Sequence, residues 1–272
     1  MKKCLLYIGF LVILLFVVES CDRDFEYSVY SEYVVEHKEH TTRRNLEKIQ
    51  DSTTLPFTPF KICLISDNHL YYDDLNDVMD ALNKHNDYDF MIHGGDISDN
   101  GVAKEFSISW DILSKSKIPY FTVIGNHDIL ANGKGVYDQM YGPLNYSFVY
   151  KNCKFIFFDD IIWGSTVLDP DFMWLKQELD TNNNYKYTFL IAHIPQWTDQ
   201  FYPSQRMVFN YLLSKSKVTL CIYGHLHTAE QDVDTLENGY ISKSMIIGTV
   251  NNRTYRELIV GKDSVSFKSI PF

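Results

Sequence analysis

Five short apolar runs in this chain each stop at a cluster of aspartate, asparagine or histidine: Ile65-Ser66-Asp67-Asn68-His69, Gly95-Asp96, Gly125-Asn126-His127-Asp128, Ala192-His193 and Gly224-His225-Leu226-His227. A strand delivers side chains to the edge of a sheet where it stops, so polar groups placed after five strands converge on one crevice although they are far apart in sequence. Carboxylates and imidazoles with one amide suit a pair of divalent ions, manganese, iron or zinc. The chain must therefore build sheets whose strand ends share one edge.

Helix and strand signals alternate between these runs. Lys61 to Ile65 reads as a buried strand, and Leu75, Val78, Met79 and Leu82 then recur at helical spacing. Phe90 to His93 is the next strand, Phe106, Trp110 and Leu113 mark a second helix, and Pro119 opens a strand over 120–124. Further strands are expected at 146–150, 154–158, 188–192, 218–223, 245–247, 257–260 and 264–268, and helices at 171–179 and 204–213. Helix-separated strands early and closely spaced strands late predict two packed sheets with helices outside.

A chain of 272 residues that is 45% hydrophobic can bury one substantial core, and no repeat is visible. Its first residues, Met1-Lys2-Lys3 and the apolar stretch from Cys4 to Val18, have the basic start and short greasy centre of a secretory signal. That stretch is shorter than the ~20 residues a spanning helix needs. It ends at Val18-Glu19-Ser20-Cys21, which resembles a bacterial lipoprotein signal, with cleavage before the cysteine that then carries the lipid. The small Ser20 fits that pattern, and Glu19 departs from its commonest form. The expected organisation is a lipoprotein signal peptide at 1–20, an N-terminal tether and packing segment at 21–57, and one domain at 58–272. The expected location is the bacterial cell envelope, periplasmic or cell-surface, with the membrane as a partner through lipid on Cys21. In the tether, Phe25, Tyr27 and Val29 alternate as in a strand, and Thr42 to Ile49 reads as a short helix.

Without residues 1–20 the chain loses Lys2, Lys3 and Glu19 and carries 23 basic and 34 acidic residues, a net charge of −11. That balance excludes tight nonspecific binding to nucleic acid, which needs clustered lysine and arginine, so no stable nucleic-acid partner is expected. Cys63, Cys153 and Cys221 lie in apolar strand-like runs and read as small core residues. No disulfide framework is implied, and the composition leaves the oligomeric state open.

The spaced set Asp67-Asn68-His69, Gly95-Asp96, Gly125-Asn126-His127-Asp128, His193 and Gly224-His225-Leu226-His227 resembles the calcineurin-like metallophosphoesterase superfamily over about residues 60–272. The resemblance implies an α/β fold, a four-layer αββα sandwich of two mixed β-sheets flanked by helices. It implies that Asp67, His69, Asp96 and His227 hold one metal and that Asp96, Asn126, His193 and His225 hold the other, with Asp96 as the bridge. Two ions about 3.5–4 Å apart suit in-line displacement at phosphorus. By the same resemblance His127 lies beside the metals to stabilise the phosphoryl group or protonate the departing oxygen, and Asp128 orients His127.

The implied activity is hydrolysis of phosphate mono- or diesters of small molecules outside the cytoplasm, using two divalent metal ions (Mn, Fe or Zn). Two alternatives stand beside it: a class III-like cyclic-nucleotide phosphodiesterase, and a catalytically inactive metal-bearing surface binding protein. Asp99 stands where purple acid phosphatases carry a tyrosine ligand, and His127 where UDP-diacylglucosamine pyrophosphatases carry arginine, so neither subfamily fits. Asp99 and Asn100 read either as a closure of the loop around Asp96 or as a helix cap. His93 reads as a strand residue. Trp197, Phe201 and Tyr202 read either as an aromatic lip for substrate or as a cover over the core.

Overall fold

The structure, a computed structural model, describes residues 28–52, 54–85, 87–162, 169–180, 185–235 and 241–272. The expected signal peptide, Cys21 and the alternating Phe25 and Tyr27 lie outside the described residues.

Two mixed sheets face each other. The first runs β11 (Val265–Pro271), β10 (Thr254–Val260), β1 (Phe60–Ile65), β2 (Phe90–His93), β3 (Tyr120–Thr122). The second runs β4 (Tyr146–Tyr150), β5 (Cys153–Phe157), β6 (Tyr187–Ile191), β7 (Leu220–Tyr223), β9 (Ile241–Ile246), β8 (Gln231–Thr235). Alternation along the strands sorts the core. Ile62, Leu64, Phe90, Phe121, Phe155 and Phe189 fill the space between the sheets. The intervening Cys63, Ile65 and Met91 turn outward to pack with Leu75, Val78 and Met79, which belong to α2 (Tyr72–Leu82). With α3 (Ala103–Leu113), α4 (Gly133–Met140), α5 (Phe172–Asp180) and α6 (Pro203–Ser214), this is the expected sandwich of two mixed sheets flanked by helices. Cys63, Cys153 and Cys221 are buried free thiols.

Register places the strand ends together. β1, β2 and β3 are parallel with Ile65 beside His93 and His93 beside Thr122, so the loops after all three leave from one edge. In the second sheet Ile191 pairs with Ile222 in the parallel β6 and β7. The two edges then meet: the His225 amide donates to Asp67 Oδ1 at 3.1 Å, and His193 Nδ1–H to the Gly94 carbonyl at 2.7 Å.

The N-terminal segment packs on this body. Its helix α1 (Thr41–Ile49) forms as expected, and Asn45 Nδ2 donates to the Tyr120 carbonyl at 2.7 Å, so α1 covers the outer strand β3. Lys38 is buried and pairs with Asp111 at 2.7 Å. The expected strand around Val29 is absent from the described part: Val29 sits in a turn closed by the Ser31 amide on the Ser28 carbonyl, 3.0 Å.

Candidate metal centre

Each residue expected at the site leaves a strand end at the shared edge. Asp67 and His69 follow β1, Asp96 follows β2, Asn126 and His127 follow β3, His193 follows β6, and His225 and His227 follow β7. Asp96 is central: its Oδ2 lies 3.2 Å from His193 Nε2 and 3.7 Å from His69 Nε2. Asn126 Oδ1 lies 3.1 Å from His193 Nε2 and 2.9 Å from His225 Nδ1. On the other side His227 Nε2 is 3.5 Å from Asp67 Oδ1 and 3.3 Å from His69 Nε2. Among the described residues three donor groups result: Asp67-His69-Asp96-His227 and Asp96-His193-His225, with Asp96 common to both, and His69-Asp99-His127, which shares His69 with the first.

The donor chemistry fits metal ions. His193 Nδ1–H donates to the Gly94 carbonyl at 2.7 Å, which aims Nε2 at Asp96 and Asn126. Asp67, Asp96 and His193 are fully buried or nearly so, and buried carboxylates in such number need cations. Nitrogen and oxygen donors of this mix match manganese, iron and zinc.

The backbone is bent to make the site. Asp67, His69, Asp96, His225 and His227 all adopt positive φ, between 43° and 68°. Non-glycine residues rarely enter that region, and clusters of them mark functional sites. Close glycines make room: a Cβ on Gly125 would overlap the Asp96 carboxylate and amide, and one on Gly95 would strike His193.

Electrostatics follow from burial and mutual contact. Burial pushes the Asp96 carboxyl up, but the neighbouring His193, His127 and His69 prevail and hold it well below its ordinary range. Burial likewise opposes the His193 imidazolium, yet Asp96, Asp67 and the Gly94 carbonyl raise it to about 10. His225 is pushed down to about 4 by burial and by His193. His227, half-exposed, is raised by its contact with Asp67.

Several expectations change here. Asp128 does not orient His127: it is fully buried, and its two oxygens accept the Ser98 amide at 2.8 Å and the Gly125 amide at 2.9 Å. It thus ties the Asp96 loop to the Asn126 loop, and burial with the nearby Asp96 pushes its carboxyl up to about 7. His127 is held by Asp99, whose carbonyl accepts from Nδ1 at 2.7 Å, while Asp99 Oδ1 lies 3.1 Å from His69 Nδ1 without hydrogen-bond alignment. Asp99 is not the cap of α3, where Val102 stands; Glu105 Oε2 instead accepts the Asp99 and Asn100 amides at 3.0 and 2.8 Å. His93 spends both nitrogens on the protein, Nε2 on Asn68 Oδ1 at 2.8 Å and Nδ1 on the Gly95 amide at 3.3 Å. Trp197 packs edge-on against Tyr223 and Phe201 against Phe209, so both cover the core, and Tyr202 alone of the three is strongly exposed.

Two neighbours of the site had not been singled out. Asp160 is buried and accepts the His193 and Ile194 amides at 3.3 and 2.9 Å, and Gln200 Nε2 lies 2.9 Å from His225 Nε2. Asp160 ends the apolar run Lys154-Phe155-Ile156-Phe157-Phe158, a sixth case of the pattern that marks the other five. Gln200 carries no such signal, because it lies in a long loop.

The calcineurin-like phosphoesterase family model matches residues 60–229, more than half of the chain and a span that contains the candidate donors named above. The chain belongs to the calcineurin-like phosphoesterase family. It is a metal-dependent phosphoester hydrolase. A probable cyclic nucleotide phosphodiesterase of Coxiella burnetii is 23% identical over 188 residues, 61% of this chain and 75% of the relative. A probable glycerophosphodiester phosphodiesterase of Arcobacter nitrofigilis is 27% identical over 115 residues, 39% of this chain and 42% of the relative, so the chain spans less than half of that protein. Among solved structures, a purple acid phosphatase from yellow lupin superposes with a TM-score of 0.63 over 80% of this chain and 53% of that one, at 14% identity, a likeness of fold.

Proposed function

We propose that this phosphoesterase hydrolyses phosphate diesters and monoesters outside the cytoplasm, from a membrane to which lipid on Cys21 ties it. The observation that carries the activity is the convergence of Asp67, His69, Asp96, Asn126, His193, His225 and His227 on two donor groups that share one carboxylate. Asp67, His69, Asp96 and His227 would hold one divalent ion, and Asp96, Asn126, His193 and His225 the other. When bound, the pair supplies the nucleophile and the positive charge that phosphoryl transfer to water requires. The neutral Asn126 matters because a further carboxylate would cancel part of that charge and weaken attraction of an anionic ester.

His127 is the proton carrier. Its Nδ1–H is committed to the Asp99 carbonyl, which leaves Nε2 to protonate the departing oxygen, and the ring is partly open to solvent. Asp128 and Asp160 set the loops that bear Asn126 and His193.

A second reading within the same chemistry is a cyclic-nucleotide phosphodiesterase, favoured by the name given to the Coxiella relative. Purified protein loaded with manganese, iron or zinc and assayed on bis(p-nitrophenyl) phosphate, p-nitrophenyl phosphate and cyclic AMP decides between the readings. Turnover of the first two in excess of the third supports the general esterase, and the reverse order favours the cyclic-nucleotide reading. Asp96→Ala should empty both metal sites and abolish turnover, and two metals retained per chain by elemental analysis would reject the shared carboxylate.

A further inference from the structure

The N-terminal segment leaves the domain at the catalytic edge. It runs in the same direction as α4 beside it: the Thr42 amide donates to the Tyr141 carbonyl at 3.3 Å and the His40 amide to the Gln139 carbonyl at 2.9 Å. At its other end, Asn132 Nδ2 donates to the Tyr30 carbonyl at 3.0 Å. Asn132 is five residues past His127, on the loop that carries the site, so the chain meets the rim of the crevice as it is followed back toward residue 28.

On the side where the segment arrives, that rim carries exposed apolar side chains among polar ones such as Glu32 and Asn100. Leu70 and Tyr71, directly after His69, are 49% and 42% exposed, and Leu130, three residues past His127, is 44% exposed. Tyr30 and Tyr33 on the neighbouring segment are each 70% exposed. The opposite edge, where the strands begin, is polar and basic. Exposed Lys84, Lys115, Lys117 and Lys217 precede β2, β3 and β7, and Lys262 sits in the β10–β11 turn.

Tether length decides which edge faces a membrane. Seven chain steps separate Cys21 from Ser28, which reach about 25 Å at most when extended. A domain of this size is about 45 Å across. Lipid on Cys21 therefore holds the catalytic rim near the bilayer, and the basic edge is too distant to lie on it.

We propose that the catalytic crevice opens onto the membrane and that its substrates are phosphoester headgroups of lipids in that surface. The proposal rests on lipid at Cys21 and on the phosphoesterase reading above. Water adds across one P–O bond, phosphorus gaining the hydroxyl and the departing oxygen the proton, so no other co-reactant is needed. The net charge of −11 for residues 21–272 gives no attraction to anionic lipid. The anchor supplies proximity instead, by raising the effective concentration of headgroups at the crevice.

The test uses the full acylated protein, metal-loaded, in vesicles of phosphatidylethanolamine and phosphatidylglycerol. A fluorophore on Leu130→Cys or on Lys262→Cys is exposed to brominated lipid; the native thiols at 63, 153 and 221 are buried. Quenching several-fold stronger at 130 is expected, and equal or reversed quenching overturns the orientation. Turnover is then compared on two esters with the same leaving group, hexadecyl p-nitrophenyl phosphate in the vesicles and ethyl p-nitrophenyl phosphate in solution. Leu70→Gln with Leu130→Gln should slow the vesicle ester at least about fivefold and leave the soluble ester unchanged; equal effects on both overturn the docking role of the rim. Cys21→Ala should release the protein and lose the preference for the vesicle ester. If Cys21→Ala still floats with vesicles, the anchor is elsewhere and the proposal, which rests on the short tether from Cys21, is overturned. If no variant or wild type turns over the soluble ester, the phosphoesterase reading fails instead.

Discussion

At the scale of the residue, binding and chemistry separate between His127 and Asp128, which are adjacent in sequence and face different partners. His127→Ala should keep both metals and slow turnover about 10²-fold on esters with an alkyl leaving group, with a smaller loss for p-nitrophenolate, which needs little protonation. Rates on both substrate types at matched metal occupancy check this; an equal loss on both would reject proton donation. Asp128→Asn should act otherwise. Its carboxylate accepts two amides, and an asparagine places an N–H against one of them, leaving a buried donor unpaired at a cost of about 1–3 kcal/mol. The Asn126 loop then loosens, so metal affinity measured by calorimetry should fall while the ratio of the two substrate rates stays as in wild type. The candidate metal donors were legible from sequence because each lies within four residues of a strand end. The partner of His127 was not, because it is a backbone carbonyl of Asp99, and no side-chain pattern encodes it.

At the scale of the element, glycine placement explains both a missed helix and a rigid site. α4 holds Gly133 and Gly135 in eight residues, so its sequence lacks the propensity and spacing that revealed the other domain helices. Tertiary contact forms it nonetheless, through buried Val136, Tyr137 and Met140. Gly135 meets only Glu32 at 3.8 Å where a Cβ would stand, so Gly135→Ala should raise stability by about 0.5–1 kcal/mol. Gly125→Ala should do the reverse, since its methyl would enter the space of Asp96. Denaturant midpoints order the pair: Gly135→Ala above wild type, Gly125→Ala below it and depleted of metal. A Gly125→Ala protein that retained both metals would show that the Asp96 loop can move aside. The strand β8 was also missed, because its Gln231-Asp232-Val233-Asp234-Thr235 offers a single aliphatic residue to the pattern. It joins the sheet by pairing antiparallel with β9.

At the scale of the whole molecule, two sheets with aligned strand ends concentrate buried charge at one edge, and a further buried carboxylate, Glu257, lies away from it. Sheet architecture was legible because strands alternate with helices early and crowd late; strand order was not, because β10 and β11 return from the C-terminus to flank β1. That return places Glu257 of β10 beside Lys268 of β11, 3.0 Å away, while Tyr88 donates to its other oxygen at 2.8 Å. Burial pushes the Glu257 carboxyl up, but Tyr88, Lys268 and Lys61 outweigh it and hold it below its ordinary 4.5. A carboxylate depressed in the folded state contributes stability that is fully present above 4.5 and is lost as pH falls through the lower folded value. Glu257→Gln should therefore cost about 1 kcal/mol at neutral pH, in the range of one charge-assisted hydrogen bond less its solvent-screened share. The cost should shrink as the medium is acidified below 4.5. Urea midpoints of the two proteins, taken at pH values on both sides of 4.5, read this directly: a gap that persists unchanged into acid would mean that packing of the side chain, and not its charge, ties the C-terminal strands to β1.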